Sequence, residues 1–194
     1  MTALTALAQA LGLAWSSGIS LYATVLFAGL ADRLGWIALP GPLQALSSPW
    51  VLGVAGVLAA LEVAAQLVPG VATAWEAVHT AVRPLASAAL AVLATWGRSP
   101  ALIVVAGLLG GSLGAATHLT KLKLRSAIDA SPEPVTNAAA TTTEVGVLAF
   151  LAWAIWAHPW VALAVALVLL AAAFLVARAL WRAVRRAAGW LAGA

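Results

Sequence analysis

Two glutamates, Glu62 and Glu144, stand inside long apolar runs, where an ionisable side chain is costly and asks for a functional reason. A carboxyl group in that setting is either neutral or paired with a cation, and both states suit proton or cation transfer. The plainer alternative is a neutral carboxyl that bonds a neighbouring helix. Spacing adds partners on each helical face. Gln66 follows Glu62 by four residues, and Asn137, Thr141 and Glu144 follow the i, i+4, i+7 pattern. The expected substrate- or ion-binding set is therefore Glu62, Gln66, Asn137, Thr141 and Glu144. A second group is basic. Glu76, His79 and Arg83 lie at i, i+3, i+7, and His118, Lys121 and Arg125 repeat that spacing. With Glu133 from the polar stretch 129–134, the residues Arg83, His118, Lys121 and Arg125 are expected at a cytoplasmic mouth that attracts an anion or a lipid phosphate. Their plain alternative is an amphipathic lead-in and a snorkelling helix end.

The elements that must carry these residues are transmembrane helices. Of 194 residues, 64% are hydrophobic and 8% charged, against about 25% charged in soluble domains. The mean hydropathy is +1.03, and a water-soluble fold of this length has no place to hide so much apolar side chain. The expected fold class is all-α, a polytopic transmembrane bundle forming one integral membrane domain over residues 1–194. A span takes about 20 apolar residues, and six stretches qualify: 4–34, 50–68, 71–96, 100–128, 135–157 and 159–181. The first is too long for one straight span and is interrupted by Ser16-Ser17-Gly18; the third contains Pro84. At about 1.5 Å per residue, Glu62 falls about 18 Å from the outer end of its span and Glu144 about 10–14 Å from the inner end of its own, both near the midplane.

Basic residues orient the bundle. Arg178, Arg182, Arg185 and Arg186, together with Lys121, Lys123, Arg125 and Arg83, fall on one side, and Arg33 and Arg98 on the other. That asymmetry places the richer side and both termini in the cytoplasm of a cell inner membrane, with 178–194 as an interfacial basic tail. Trp36, Trp50, Trp96, Trp156 and Trp160 mark the outer interface. The net charge of +4 comes from clusters at helix ends and not from a patch patterned for nucleic acid, so nucleic acid is not expected as a partner. The chain has no cysteine, which excludes disulfides and thiolate chemistry. His79, His118 and His158 lack partners at metal-ligand spacing, and neither a metal nor a cofactor is expected. A cut near residue 97 leaves three stretches on each side, half-repeats 1–97 and 98–194, the pattern of a 3+3 inverted repeat. In that scheme Ser16-Ser17-Gly18 and Gly110-Gly111-Ser112-Leu113-Gly114 break helices at corresponding places, whereas the plainer role for those glycines is close helix packing.

The ordered set Gly18-Ile-Ser-Leu-Tyr-Ala-Thr-Val25, Leu39-Pro40, Glu62 with Pro69, Trp75-Glu-Ala-Val-His-Thr80, Arg83-Pro84, His118 with Lys121 and Arg125, and Ser131-Pro-Glu-Pro134 with Asn137 and Glu144 resembles the Domain of Unknown Function 4126 family of small bacterial multi-span membrane proteins. The resemblance implies a small inner-membrane protein and brings no established activity. Where that family carries Ala-Asp-Lys-Ile-Pro and a further Asp, this chain reads Ala65-Gln66-Leu67-Val68-Pro69 and Ala72; its Glu-Asp pair reads Glu144-Val145. Three functional classes stay open. One is a small transporter or channel-like protein for a small ion or anionic solute. The second is a protein handling lipid or phosphate headgroups. The third is a structural or assembly partner, including a homo-oligomer. An enzyme is less expected, since no nucleophile–base pair is legible.

Overall fold

The computed structural model describes residues 2–68, 70–129 and 134–165, and single positions from there to residue 182. Among the described residues the main helices are α1 (Ala3–Ile19), α2 (Leu21–Arg33), α3 (Pro49–Gln66), α4 (Val71–Val78), α5 (Val82–Ala94), α6 (Pro100–Asp129) and α7 (Pro134–Ala157), with a 3-10 helix (Gly41–Ser47) between α2 and α3. A further helical stretch follows over 159–165. Among the described residues three helices, α3, α6 and α7, are long and apolar enough to cross a bilayer, and α4 with α5 makes a fourth if the bent pair is one span. Six separate spans and a 3+3 repeat therefore find no support in the described residues.

Local chemistry explains the boundaries. Ser20 is extended and ends α1; its hydroxyl accepts from Ala23 N–H and so caps α2. Ser48 caps α3 in the same way, followed by Pro49 at the first helical position. Pro84 lacks an N–H and its ring crowds the carbonyl four residues back, so α4 cannot run on through Thr80 and α5 restarts at Val82 with the proline in its first turn. The pair is bent by 53°. At the entrance of α4, the Asp129 carboxylate accepts from Gly70 N–H, Thr73 N–H and Thr73 Oγ1, a negative charge on a helix N-terminus.

The break at Ser20 reverses the chain. Ala14 lies beside Gly110 and Gly18 beside Gly114, so α1 runs in the same direction as α6. Glu62 meets Lys121 and Gln66 meets Arg125, so α3 shares that direction. Leu26 packs on Gly56 and Leu52 on Gly29, so α2 runs against α3. The stretch expected as a first span is thus a helical hairpin with its tip at Ser20, and its start and its end, Ala3 and Arg33, share one end of the bundle. The Ser16-Ser17-Gly18 segment stays helical, and α6 passes unbroken through Gly110–Gly114. Those glycines pack: an added Cβ on Gly18 meets the Gly114 carbonyl oxygen at 2.6 Å, and one on Gly110 meets Ala91 at 2.5 Å. The tight core is α1 against α5 and α6, with Leu13, Trp15, Leu90, Ala91, Ala106 and Ile155 in its apolar centre.

Polarity is distributed inside out. Leu108 is 67% exposed and Trp50 86%, while Glu62, Glu76 and Arg83 are 1%, 0% and 0%. Water would reverse that order, and a hydrocarbon surround produces it.

Candidate functional site

The buried polar groups converge where the hairpin tip meets the α4–α5 bend. Three carboxylates, Glu62 on α3, Glu76 on α4 and Glu144 on α7, face three cations, Arg83 on α5 and Lys121 and Arg125 on α6. Arg83 Nη2 is 2.6 Å from Glu62 Oε1, and its Nη1 is 2.7 Å from Glu76 Oε2. Arg83 Nη1 also donates to the carbonyl oxygens of Ile19 at 2.5 Å and Gly18 at 3.3 Å. These are end carbonyls of α1, which the break at Ser20 leaves without helical partners and with the negative end of a helix dipole.

Lys121 is the hub. Its ammonium lies 3.2 Å from Glu62 Oε1, 3.0 Å from Glu76 Oε1 and 2.5 Å from Glu144 Oε1, and it donates to Ile19 O at 2.6 Å. Four separate elements thus share one cation. Ser20 Oγ donates to Glu62 Oε2 at 2.6 Å, so the hairpin tip offers carbonyls to the cations and a hydroxyl to the carboxylate. Arg125 Nη2 donates to Gln66 Oε1 at 2.9 Å and Thr141 Oγ1 at 3.0 Å, and is 3.4 Å from Glu144 Oε2. Gln66 in turn donates to Glu62 at 3.3 Å and Glu144 at 3.4 Å. With three charges of each sign the cluster is neutral in its fully ionised form, which is how charges survive burial at all.

His118 flanks the cluster, with Nδ1 3.4 Å from Arg83 Nη1 and 3.5 Å from Glu76 Oε2, and Nε2 3.2 Å from Thr80 Oγ1. His79 closes the other side of the bend. It stacks on Trp75 with ring centres 4.6 Å apart, and its Nε2 lies 3.0 Å from Tyr22 Oη. Among the described residues no group of acidic and histidine side chains is arranged to hold a metal ion.

A family model described as a domain of unknown function, DUF4126, matches residues 7–179. The chain belongs to the DUF4126 family. No curated protein and no solved structure matches it. In this DUF4126 chain several of the segments that carry the family resemblance meet: 18–25 supplies the hairpin tip, 75–80 supplies Glu76, His79 and Thr80, and later pieces supply Arg83, His118, Lys121, Arg125 and Glu144. The two groups expected apart, a carboxylate site and a basic mouth, are one network, because Arg83, Lys121 and Arg125 are the counter-ions of Glu62 and Glu144. Glu133 lies outside the described residues, as do Arg185 and Arg186 of the tail; Arg178 and Arg182 are exposed. Asn137 is fully buried on the Thr141 face of α7, yet neither its oxygen nor its nitrogen has a hydrogen-bond partner.

Sequence reasoning left four residues out of the binding set. Glu76 was legible in its i, i+3, i+7 stripe with Arg83, but the stripe reads equally as a solvated helix end. Ser20 and the carbonyls of Gly18 and Ile19 had no signal in side-chain type. They matter because the backbone breaks there.

Proposed function

We propose that this protein is a small inner-membrane transporter or channel-like protein whose coupling site is the buried network around Lys121. The observation that carries the reading is the oxygen cage on the Lys121 ammonium, drawn from the hairpin tip, α3, α4 and α7. Discontinuous helices that offer end carbonyls and N-termini to charge are a recurrent construction of transport sites. A single cation binding several elements also ties their relative positions to its own charge state. In this scheme Glu62 and Glu144 are the proton or cation carriers. A proton or a small cation on either carboxylate competes with Lys121 and loosens the hairpin tip from α7. Gln66, Asn137 and Thr141 line the route beside them, and Arg83, Lys121 and Arg125, with His118 alongside, set the charge balance within the same site.

The test is a proteoliposome assay with an entrapped pH-sensitive dye under imposed cation and anion gradients. Wild type is expected to move protons, and Glu62→Gln and Glu144→Gln to lose that movement while still folding. Equal flux in all three would sink the carboxylate role.

The charge balance of the network favours one rival, a structural membrane partner in which the ion pairs hold helices together. That reading expects no flux with any ion. The headgroup-handling reading is weaker, since each basic residue of the network is at most 7% exposed and already paired.

A further inference from the structure

Bookkeeping of the network leaves a remainder. Arg125 is 2% exposed, and its Nη2 is used three times, but its Nη1 has no partner. Asn137 is 0% exposed with both amide atoms unpartnered. The two residues border one seam: Arg125 reaches Thr141 Oγ1 at 3.0 Å, and Asn137 lies four residues before Thr141 on the same face of α7, where side chains stand about 5–6 Å apart. Asp129, four residues beyond Arg125 on α6, holds α4 with Oδ2 while its Oδ1 is also unpartnered. Buried groups of this kind cost about 1–3 kcal/mol each when nothing satisfies them, so a polar guest that meets them at this seam is stabilised.

Their chemistry limits what it is. On α6 and α7 the remainder comprises donors, from Arg125 Nη1 and Asn137 Nδ2, and acceptors, Asn137 Oδ1 and Asp129 Oδ1; Arg83 Nε on α5 and Glu76 Oε2 on α4 also lack hydrogen-bond partners. A bare anion satisfies the donors and leaves the acceptors facing it. It also adds uncompensated charge to a network whose ion pairs already balance, three against three. A carboxylic-acid or primary-amide edge meets both donors and the nearer acceptor: its carbonyl oxygen accepts from Arg125 Nη1 and Asn137 Nδ2, and its O–H or N–H donates to Asn137 Oδ1, leaving Asp129 Oδ1 outside the contact. Asn137 also sits in the first turn of α7, where the helix dipole favours the oxygen end of such a ligand.

We infer that the α6–α7 seam at Arg125 and Asn137 binds a small solute through a carboxylic-acid or primary-amide edge, a monocarboxylate entering with its proton. The inference rests on the transporter reading only in that the solute enters through this seam; binding is a property of the resting protein.

The experiment is a thermal-shift titration of the full chain in detergent with acetamide, with acetate across a range of pH, and with chloride as the charge control. Acetamide is expected to raise Tm saturably, acetate to do so increasingly as pH falls, and chloride to have no saturable effect. Asn137→Leu, which keeps the four-atom branched side chain without the amide, is expected to weaken the acetamide response at least tenfold. Arg125→Lys, which keeps the charge and removes Nη1, provides the same readout should the leucine variant fail to fold. Absence of a response in wild type, a response that survives both substitutions, or chloride acting as acetate does would each overturn the inference. Proteoliposome flux is measured separately, so transport without acetamide binding, or binding without transport, tells which of the two readings has failed.

Discussion

Arg83 and Lys121 hold more partners than any surface ion pair does, and their worth depends on completeness. Removing one member of a buried pair leaves an unneutralised charge in a medium that cannot solvate it, at a cost of about 3–5 kcal/mol. Glu62→Gln leaves Arg83 and Lys121 with one carboxylate fewer, and its stability loss in detergent-denaturation melts is expected in that range. Adding Lys121→Met restores balance at two charges of each sign. The double variant is then expected to be more stable than the sum of the single losses predicts, by about 0.5–3 kcal/mol of coupling. Strict additivity would mean that the two side chains do not share a common charge balance.

The hairpin and the bend are held by close backbone approach as well as by charge. Gly18 is such a point, since a Cβ there meets the Gly114 carbonyl oxygen at 2.6 Å and the Thr117 side chain at 2.9 Å. A backbone atom cannot rotate away, so α1 must lift off α6 and draw the Ile19 carbonyl from Lys121 and Arg83. Gly18→Ala is therefore expected to lose about 1–3 kcal/mol, the range for overpacking. Gly53, within α3 with nothing inside 4 Å of its Cβ position, is the counter-case. Gly53→Ala is expected to gain about 0.5–1 kcal/mol from helix propensity alone. Melting both variants beside wild type checks the pair, and a Gly18→Ala protein as stable as Gly53→Ala would deny the tight crossing.

For the molecule as a whole, the consequential feature is the reversal at Ser20. A single crossing by the first stretch would put Ala3 and Arg33 at opposite ends of the bundle; the hairpin puts them at the same end as Trp36 and Trp50. The chain has no cysteine, so single introduced thiols read the arrangement directly. Leu4→Cys and Trp36→Cys, both at exposed positions, are expected to react with an impermeant maleimide from one side of sealed vesicles. Lys123→Cys, exposed on the basic half of α6, is expected to react from the other. Labelling of Leu4→Cys from the Lys123 side would mean that the first stretch crosses.

Composition and spacing were enough to read apolar helices of membrane-spanning length, the placement of α3, α6 and α7 to within a residue or two, and the presence of Glu62, Gln66, Thr141, Glu144, Arg83, Lys121 and Arg125 as polar side chains within or beside the apolar runs. These follow from one-dimensional facts: apolar run length, helical period, and the cost of charge in lipid. Two things were out of reach of that reasoning. An extended residue between two apolar runs leaves the next helix free to continue or to turn back, and Ser20 turns back because α2 finds its packing face along α3. The pairing of the carboxylates with the basic residues also lies between helices far apart in sequence, 59 residues for Lys121 with Glu62. Coulombic attraction acts through space, so the side chains that read as a separate site and mouth along the chain became one neutral cluster only when α3, α4, α5, α6 and α7 were set around the hairpin tip.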